Sequence, residues 1–204
     1  MNRKYLGVAA AMLATATVTT SVSVGADAPA VADDGTLQRP RDLRELVFLS
    51  SGYGMAYGPA ADKARQAGGM PPFGNVFVSP QAYRVFMQTG KWQDGTTFFL
   101  EVRQGVGHAS IASTGSSQGA LIAIEAEQKD SSRYPEGGFA FFDFGSGGAR
   151  ERAAPLPRTA ACYACHREHG AVEWTFTQFY PEQFAVAQGL GTVRKDYDPN
   201  RKLK

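Results

Sequence analysis

Cys162-Tyr163-Ala164-Cys165-His166 holds the only two cysteines of a 204-residue chain. Residues three apart share one side of a helical turn, so both thiols can meet one edge of a flat ligand while the next residue reaches beneath it. That is the C-x-x-C-H pattern of covalent haem attachment, in which the thiols bond the porphyrin vinyls and the imidazole binds iron. A disulfide, a thioredoxin-like redox pair and structural zinc compete with this reading. Zinc is the poorest of them: His169 follows His166 by three residues, and no second cysteine pair exists to complete four ligands.

The amino terminus supplies the context such chemistry needs. Arg3 and Lys4 precede the apolar run Leu6 to Leu13, and no charge occurs from Tyr5 to Gly25. This is the layout of a signal peptide, with Val24 and Ala26 as the small recognition residues and cleavage after Ala26. An uncleaved anchor is the alternative, but Thr15, Thr17, Thr19, Thr20, Ser21 and Ser23 dilute its apolarity. Export to the periplasm together with C-x-x-C-H predicts one covalent haem c per chain. The formal charge is +2, and loss of Arg3 and Lys4 leaves basic and acidic residues in balance. A neutral chain lacks the electrostatic footprint of a nucleic-acid binder, so that class is excluded.

The elements that position the motif are short. With 43% hydrophobic residues, 23 Gly and 11 Pro, the chain favours strands and turns over a helical bundle. Residues 27–40, rich in Ala, Asp and Pro, read as a flexible leader, and residues 191–204 read as a solvated basic tail. A helix is expected from near Pro40, with Leu43, Leu46 and Val47 on one face, ending at Gly52-Tyr53-Gly54. A second is capped by Ser79, opens with Pro80, carries Tyr83, Phe86 and Met87 as its stripe, and stops at Gly90. Strands are expected over Phe73 to Val78, Thr97 to Arg103, Ala120 to Glu127 and Phe139 to Phe144. Gly105 to Gly119 reads as a long hairpin connection. The fold class is therefore a β-rich α+β protein: an antiparallel sheet with helices packed against it and the haem on a carboxy-terminal C-x-x-C-H helix, within residues 41–190.

Three runs make a more specific pattern: Asn75-Val76-Phe77-Val78-Ser79-Pro80-Gln81-Ala82-Tyr83, Thr89-Gly90-Lys91-Trp92-Gln93-Asp94-Gly95-Thr96, and Cys162 to His166 followed by Thr175-Phe176-Thr177-Gln178-Phe179-Tyr180-Pro181. They resemble the cytochrome P-460 family, which includes the cytochromes c′-beta, over roughly residues 41 to 183. The resemblance implies a β-rich haem domain, a homodimer, and five-coordinate iron with an open distal side. In the hydroxylamine-oxidising members a lysine on the strand after the Asp-Gly-Thr turn is joined to the haem edge, with an arginine and a glutamate nearby. Those positions fall on Leu100, Gly74 and Glu125 respectively. Leucine cannot form that bond, so the resemblance implies a c-type haem without the cross-link.

Alternation along Thr97 to Arg103 puts Phe98, Leu100 and Val102 on one face, which suits an apolar ceiling over iron as well as ordinary packing. Glu125 shares a face with Leu121, Ala123 and Glu127 and is either a surface carboxylate or a pocket acid suited to proton transfer. Met55 and Met70 are possible thioether ligands, Met87 reads as core, and His108 and Lys91 read as solvated loop residues. His169, one turn beyond His166, cannot reach the opposite face of the same iron. Three functions follow: a binder of NO or a related nitrogen oxide, with Glu125 at most accessory; a hydroxylamine-oxidising enzyme with Glu125 as its catalytic group; or an electron carrier that serves a redox partner protein and needs a sixth ligand such as Met55 or Met70.

Overall fold

The computed structural model describes residues 31–55, 69–107, 110–111 and 113–201. The expected signal peptide, the start of the leader, His108 and the end of the tail lie outside the described residues. Five strands form an antiparallel sheet: β2 Val47–Tyr53, β3 Phe73–Val78, β4 Thr97–Gly107, β5 Ser116–Lys129 and β6 Phe139–Ser146, neighbours in that order. Two-residue strands β1 Leu37–Gln38 and β7 Arg152–Ala153 pair separately. Three helices pack beside the sheets: α1 Pro80–Thr89, α2 Ala161–His169 and α3 Pro181–Gly189. The expected β-rich architecture is present, and none of the described helices is long and apolar enough to cross a membrane.

Strand alternation divides the five-stranded sheet into two faces. On one face Phe77, Phe99, Ala126, Phe142 and Phe144 pack against Leu37, Leu43 and Leu46. On the other, Val78 and Phe98 meet Phe86, Trp92 and Tyr180 beside α1 and α3. On that second face Phe139 and Phe141 also carry Tyr163 of α2. A cavity opens on this second face between α2 and the middle strands.

α1 forms where its signals put it. The Ser79 hydroxyl accepts from the Ala82 amide at 3.2 Å, and Gly90 ends the helix at φ +66°, where a Cβ is disfavoured. The helix expected from Pro40 is absent. Leu43–Glu45 make one 3-10 turn, capped by the Asp42 carboxylate, and Val47–Tyr53 is an edge strand. Leu43, Leu46 and Val47 satisfy helical spacing, but Val47 and Leu49 face the α1 side while Leu43 and Leu46 lie beneath the opposite face.

The leader also differs from expectation. Leu37 is fully buried, and residues 31–46 help to cover one sheet face. Gly105 to Gly119 is less of a connection than expected, because β4 runs to Gly107 and β5 starts at Ser116. In the tail, Arg194 donates to the carbonyls of Arg167, Gly170 and Glu173, and Arg201 donates to Glu168 and Asp196. Those guanidiniums satisfy carbonyl oxygens, mostly around the end of α2, while most described residues of the tail are exposed.

Candidate functional site

A nine-residue helix is marginal by itself, so α2 depends on tertiary contacts. Tyr163, the first spacer residue of the motif, supplies them: its ring meets Phe141 edge-on at 4.9 Å and its hydroxyl donates to Leu156 O at 3.0 Å. The Arg158 guanidinium covers the same ring at 4.2 Å. With Tyr163 turned into the core, Cys162, Cys165 and His166 line the cavity. Both thiols are free, and burial pushes both above their ordinary pKa, with the Glu125 charge adding to the effect on Cys162. A reactive redox cysteine needs the opposite shift, which argues against the thioredoxin-like reading.

His166 is held from three sides. Its Nδ1 lies 2.9 Å from Trp174 O, Phe176 stacks on its ring at 4.1 Å, and Phe141 tilts against it at 4.5 Å. Nδ1 is thereby engaged and Nε2 is left for a metal. The turn that presents Trp174 O is itself fixed. Glu173 adopts φ +53°, Val172 bridges Thr175, and Lys129 Nζ donates to Glu173 Oε1 at 2.5 Å. Trp174 lies flat on Gly137, where any Cβ would overlap its ring.

The cavity of about 380 Å³ has a mainly apolar sheet wall that includes Gly74, Val76, Phe98, Leu100 and Val102. Gly74 and Leu100 are close: a Cβ on Gly74 would stand 3.2 Å from Leu100 Cδ1. Leu100 pairs across the strands with Glu125, which also lines the cavity. Glu125 keeps substantial accessible area where it borders this open cavity, and the protein around its carboxyl is still enough for burial to act on it. Burial raises its pKa, the Asp143 charge directly opposite on β6 adds to this, and His166 opposes it.

Of the other candidates, Met55 lines the same cavity, its thioether lying over Gly52, whereas Met70 packs against Gly105 and Gly107 away from it. Met87 is in the α1 core, Lys91 is exposed, and His169 lines a separate smaller hollow beyond Cys165. No lysine lines the main cavity among the described residues. One residue was missed by sequence reasoning. Glu127, nearly buried at 8% exposure, places Oε1 3.4 Å from His166 Nδ1. Its spacing of two from Glu125 was the available signal.

A sequence profile of the cytochrome P-460 family matches residues 56–177, more than half of the chain. The chain belongs to the cytochrome P-460 family. The matched region spans β3 to α2 and therefore most of the cavity wall and the whole C-x-x-C-H motif. No curated protein matches the chain. Membership in the cytochrome P-460 family makes haem the cofactor, and the cavity fits it. Two thiols and an imidazole on one helix face border a mainly apolar hollow, within the size range of cofactor sites.

Proposed function

We propose that this protein is an exported monohaem c-type cytochrome whose apolar pocket binds NO or a related small nitrogen oxide. Cys162 and Cys165 would hold the single haem covalently and His166 would ligate its iron. Haem would supply a ferrous iron for diatomic ligands, and a mainly apolar ceiling favours NO or CO, which bind without help from a hydrogen-bond donor, over O₂.

The observation that carries this reading is the contact of Leu100 with Gly74 on the cavity wall. Where the enzymes of the family hold a lysine and an arginine, this wall offers a hydrocarbon and a bare backbone. Leu100 governs access through its bulk, and Glu125 contributes little to the affinity for an uncharged ligand. The proposed protein is a homodimer, reduced by a redox partner in the periplasm after cleavage of residues 1–26.

Glu125 supports a second reading. A cavity-lining carboxyl with a raised pKa is suited to proton transfer during hydroxylamine oxidation. Met55 on the same cavity keeps the electron carrier as a third, through a thioether sixth ligand.

Purified protein from a haem-c-competent periplasm separates these readings. Its denatured mass should include one haem, no haem peptide should carry Lys63, Lys91 or Lys129, and spectra in both redox states should be five-coordinate and c-type. Ferrous protein should bind NO, Leu100→Ala should speed entry, and Glu125→Gln should leave the equilibrium nearly unchanged. Steady hydroxylamine turnover that falls by roughly 10²–10⁴-fold in Glu125→Gln would establish the enzyme instead. A six-coordinate spectrum lost in Met55→Ala would establish the carrier.

A further inference from the structure

Glu127 has no part in the reading above, yet it is the acid nearest the chemistry of His166. It follows Glu125 by two residues on β5 and so shares the cavity face. Its Oε1 is buried, makes no hydrogen bond among the described residues, and stands 3.4 Å from His166 Nδ1. The same Nδ1 lies 2.9 Å from the Trp174 carbonyl. The imidazole N–H is therefore directed at a neutral carbonyl, with a carboxyl oxygen standing close beside that bond.

The neighbouring cation does not cancel this arrangement. Lys129, two residues further along β5, commits its ammonium to Trp92 O at 2.6 Å and to Glu173 Oε1 at 2.5 Å. The Arg158 guanidinium is spent on the Tyr163 ring and the carbonyls of Phe139 and Glu136. Lys129 and Arg194 both brace the 173–174 turn, so the Trp174 carbonyl is a fixed acceptor. Glu127 is the oxygen-bearing neighbour that a side-chain change can remove.

We infer that Glu127 is a positioning residue for the proximal ligand: its carboxyl, set beside the bond from His166 Nδ1 to the Trp174 carbonyl, raises the donor strength of Nε2 toward iron. The inference rests on His166 being the iron ligand. A carboxylate beside the distal nitrogen of a metal-bound imidazole orients the ring and increases its basicity. Negative charge there also favours the more highly charged ferric state over the ferrous. The protein thereby holds a lower reduction potential and a stronger iron–histidine bond than the Trp174 carbonyl alone would give.

The test uses holoprotein carrying Glu127→Gln, which keeps the side-chain volume and removes the charge. Its reduction equilibrium should move at least tenfold toward ferrous, which is about 59 mV upward for a one-electron couple. The iron–histidine stretch of the ferrous form should fall in frequency by resonance Raman. Asp143→Asn removes a similar charge from the same sheet face, one strand away, and should leave that stretch in place. Wild-type potential and stretch in Glu127→Gln, whatever its melting temperature, would reduce Glu127 to packing and overturn the inference. If Glu127→Gln fails to mature, Glu127→Asp, which withdraws the carboxylate by one methylene, must lower the stretch, and an unchanged band overturns the inference equally. A wild-type protein without an iron–histidine band would remove the ligand assignment itself, and this inference with it.

Discussion

Glu101 on β4 and Glu125 on β5 are one strand apart and face opposite ways, since Leu100 pairs with Glu125 and Glu101 with Ile124. On the packed face Glu101 is almost fully enclosed, accepting from Arg103 at 2.9 Å, Asn75 at 3.0 Å and Arg44 at 3.1 Å. Burial pushes its carboxyl up, but the hydrogen bonds from Arg103 and Asn75 and the charges of Arg103 and Arg44 outweigh that and hold it below the ordinary value. On the cavity face, burial raises the Glu125 pKa and the Asp143 charge opposite adds to it, while His166 acts the other way. The packed face satisfies its buried acid, and the other leaves an acid beside the cavity. Both faces carry a core, but the ligand chemistry lies on the second alone.

Truncation of adjacent residues on β4 should expose this division most strongly. Phe99 is fully buried on the packed face, whereas Leu100 is half-buried against the cavity. Phe99→Ala should cost about 3–5 kcal/mol by chemical denaturation, through lost transfer energy and an enclosed void. A Leu100→Ala that costs as much would show that the cavity wall is an ordinary core.

Glu101→Ala comes next, at about 2–3 kcal/mol, because it strips a buried acceptor from Asn75 and Arg103. Glu125→Gln should be neutral or stabilising at pH 7. The pH dependences have opposite signs. A carboxyl with a lowered folded pKa, such as Glu101, contributes stability that is present above its unfolded value, near 4.3, and lost as pH falls through the folded value. Glu125, with a raised folded value, binds its proton more readily when folded, so its ionisation weakens the fold as pH rises past the unfolded value. Denaturation midpoints from pH 2.5 to 7 should show a flatter acid limb in Glu101→Gln than in the wild type. Parallel limbs would remove the Glu101 network from the account.

How far the sequence predicts these faces depends on the range of the interactions involved. Ser79, Pro80 and Gly90 act within one helix, and the strand segments carry β-branched and aromatic residues, so both are readable locally. The strand Val47–Tyr53 was misread because Leu43, Leu46 and Val47 fit a helical period by coincidence, and its pairing with β3 decides the outcome. Leu37 was invisible as core because its partner Ala153 lies far along the chain. At the site, Cys162, Cys165 and His166 declare themselves by spacing, and Leu100, Gly74 and Glu125 came from the family resemblance and meet on one wall. Glu127 was signalled only by its spacing of two from Glu125, since its partner is a histidine on another element, set in place by the Trp174 turn.

A milder change tests the cavity face directly. Leu100→Ala should cost only about 1 kcal/mol, below the usual range for buried leucine, because its side chain borders space that is already open. The same variant should admit NO faster, as measured by stopped flow. A large loss of stability with unchanged entry would place Leu100 in the core and take it out of the access route.

The smallest effect is expected at Gly74. Its backbone is an ordinary strand conformation with no positive φ, so alanine is permitted there and would remove the entropic disadvantage of glycine, about 0.5–1 kcal/mol. Against that gain, the new Cβ would stand 3.2 Å from Leu100 Cδ1, a contact that requires the leucine to yield by a few tenths of an ångström. Leu100 lies against an open cavity and can yield, so the two terms should cancel to within about 0.5 kcal/mol. The displaced leucine would then narrow the pocket, and Gly74→Ala should slow NO entry modestly where Leu100→Ala speeds it. In the double variant the new methyl meets no leucine, so Gly74→Ala should no longer slow entry. If it slows entry equally in both backgrounds, the two residues act separately and their contact is not what shapes the ceiling.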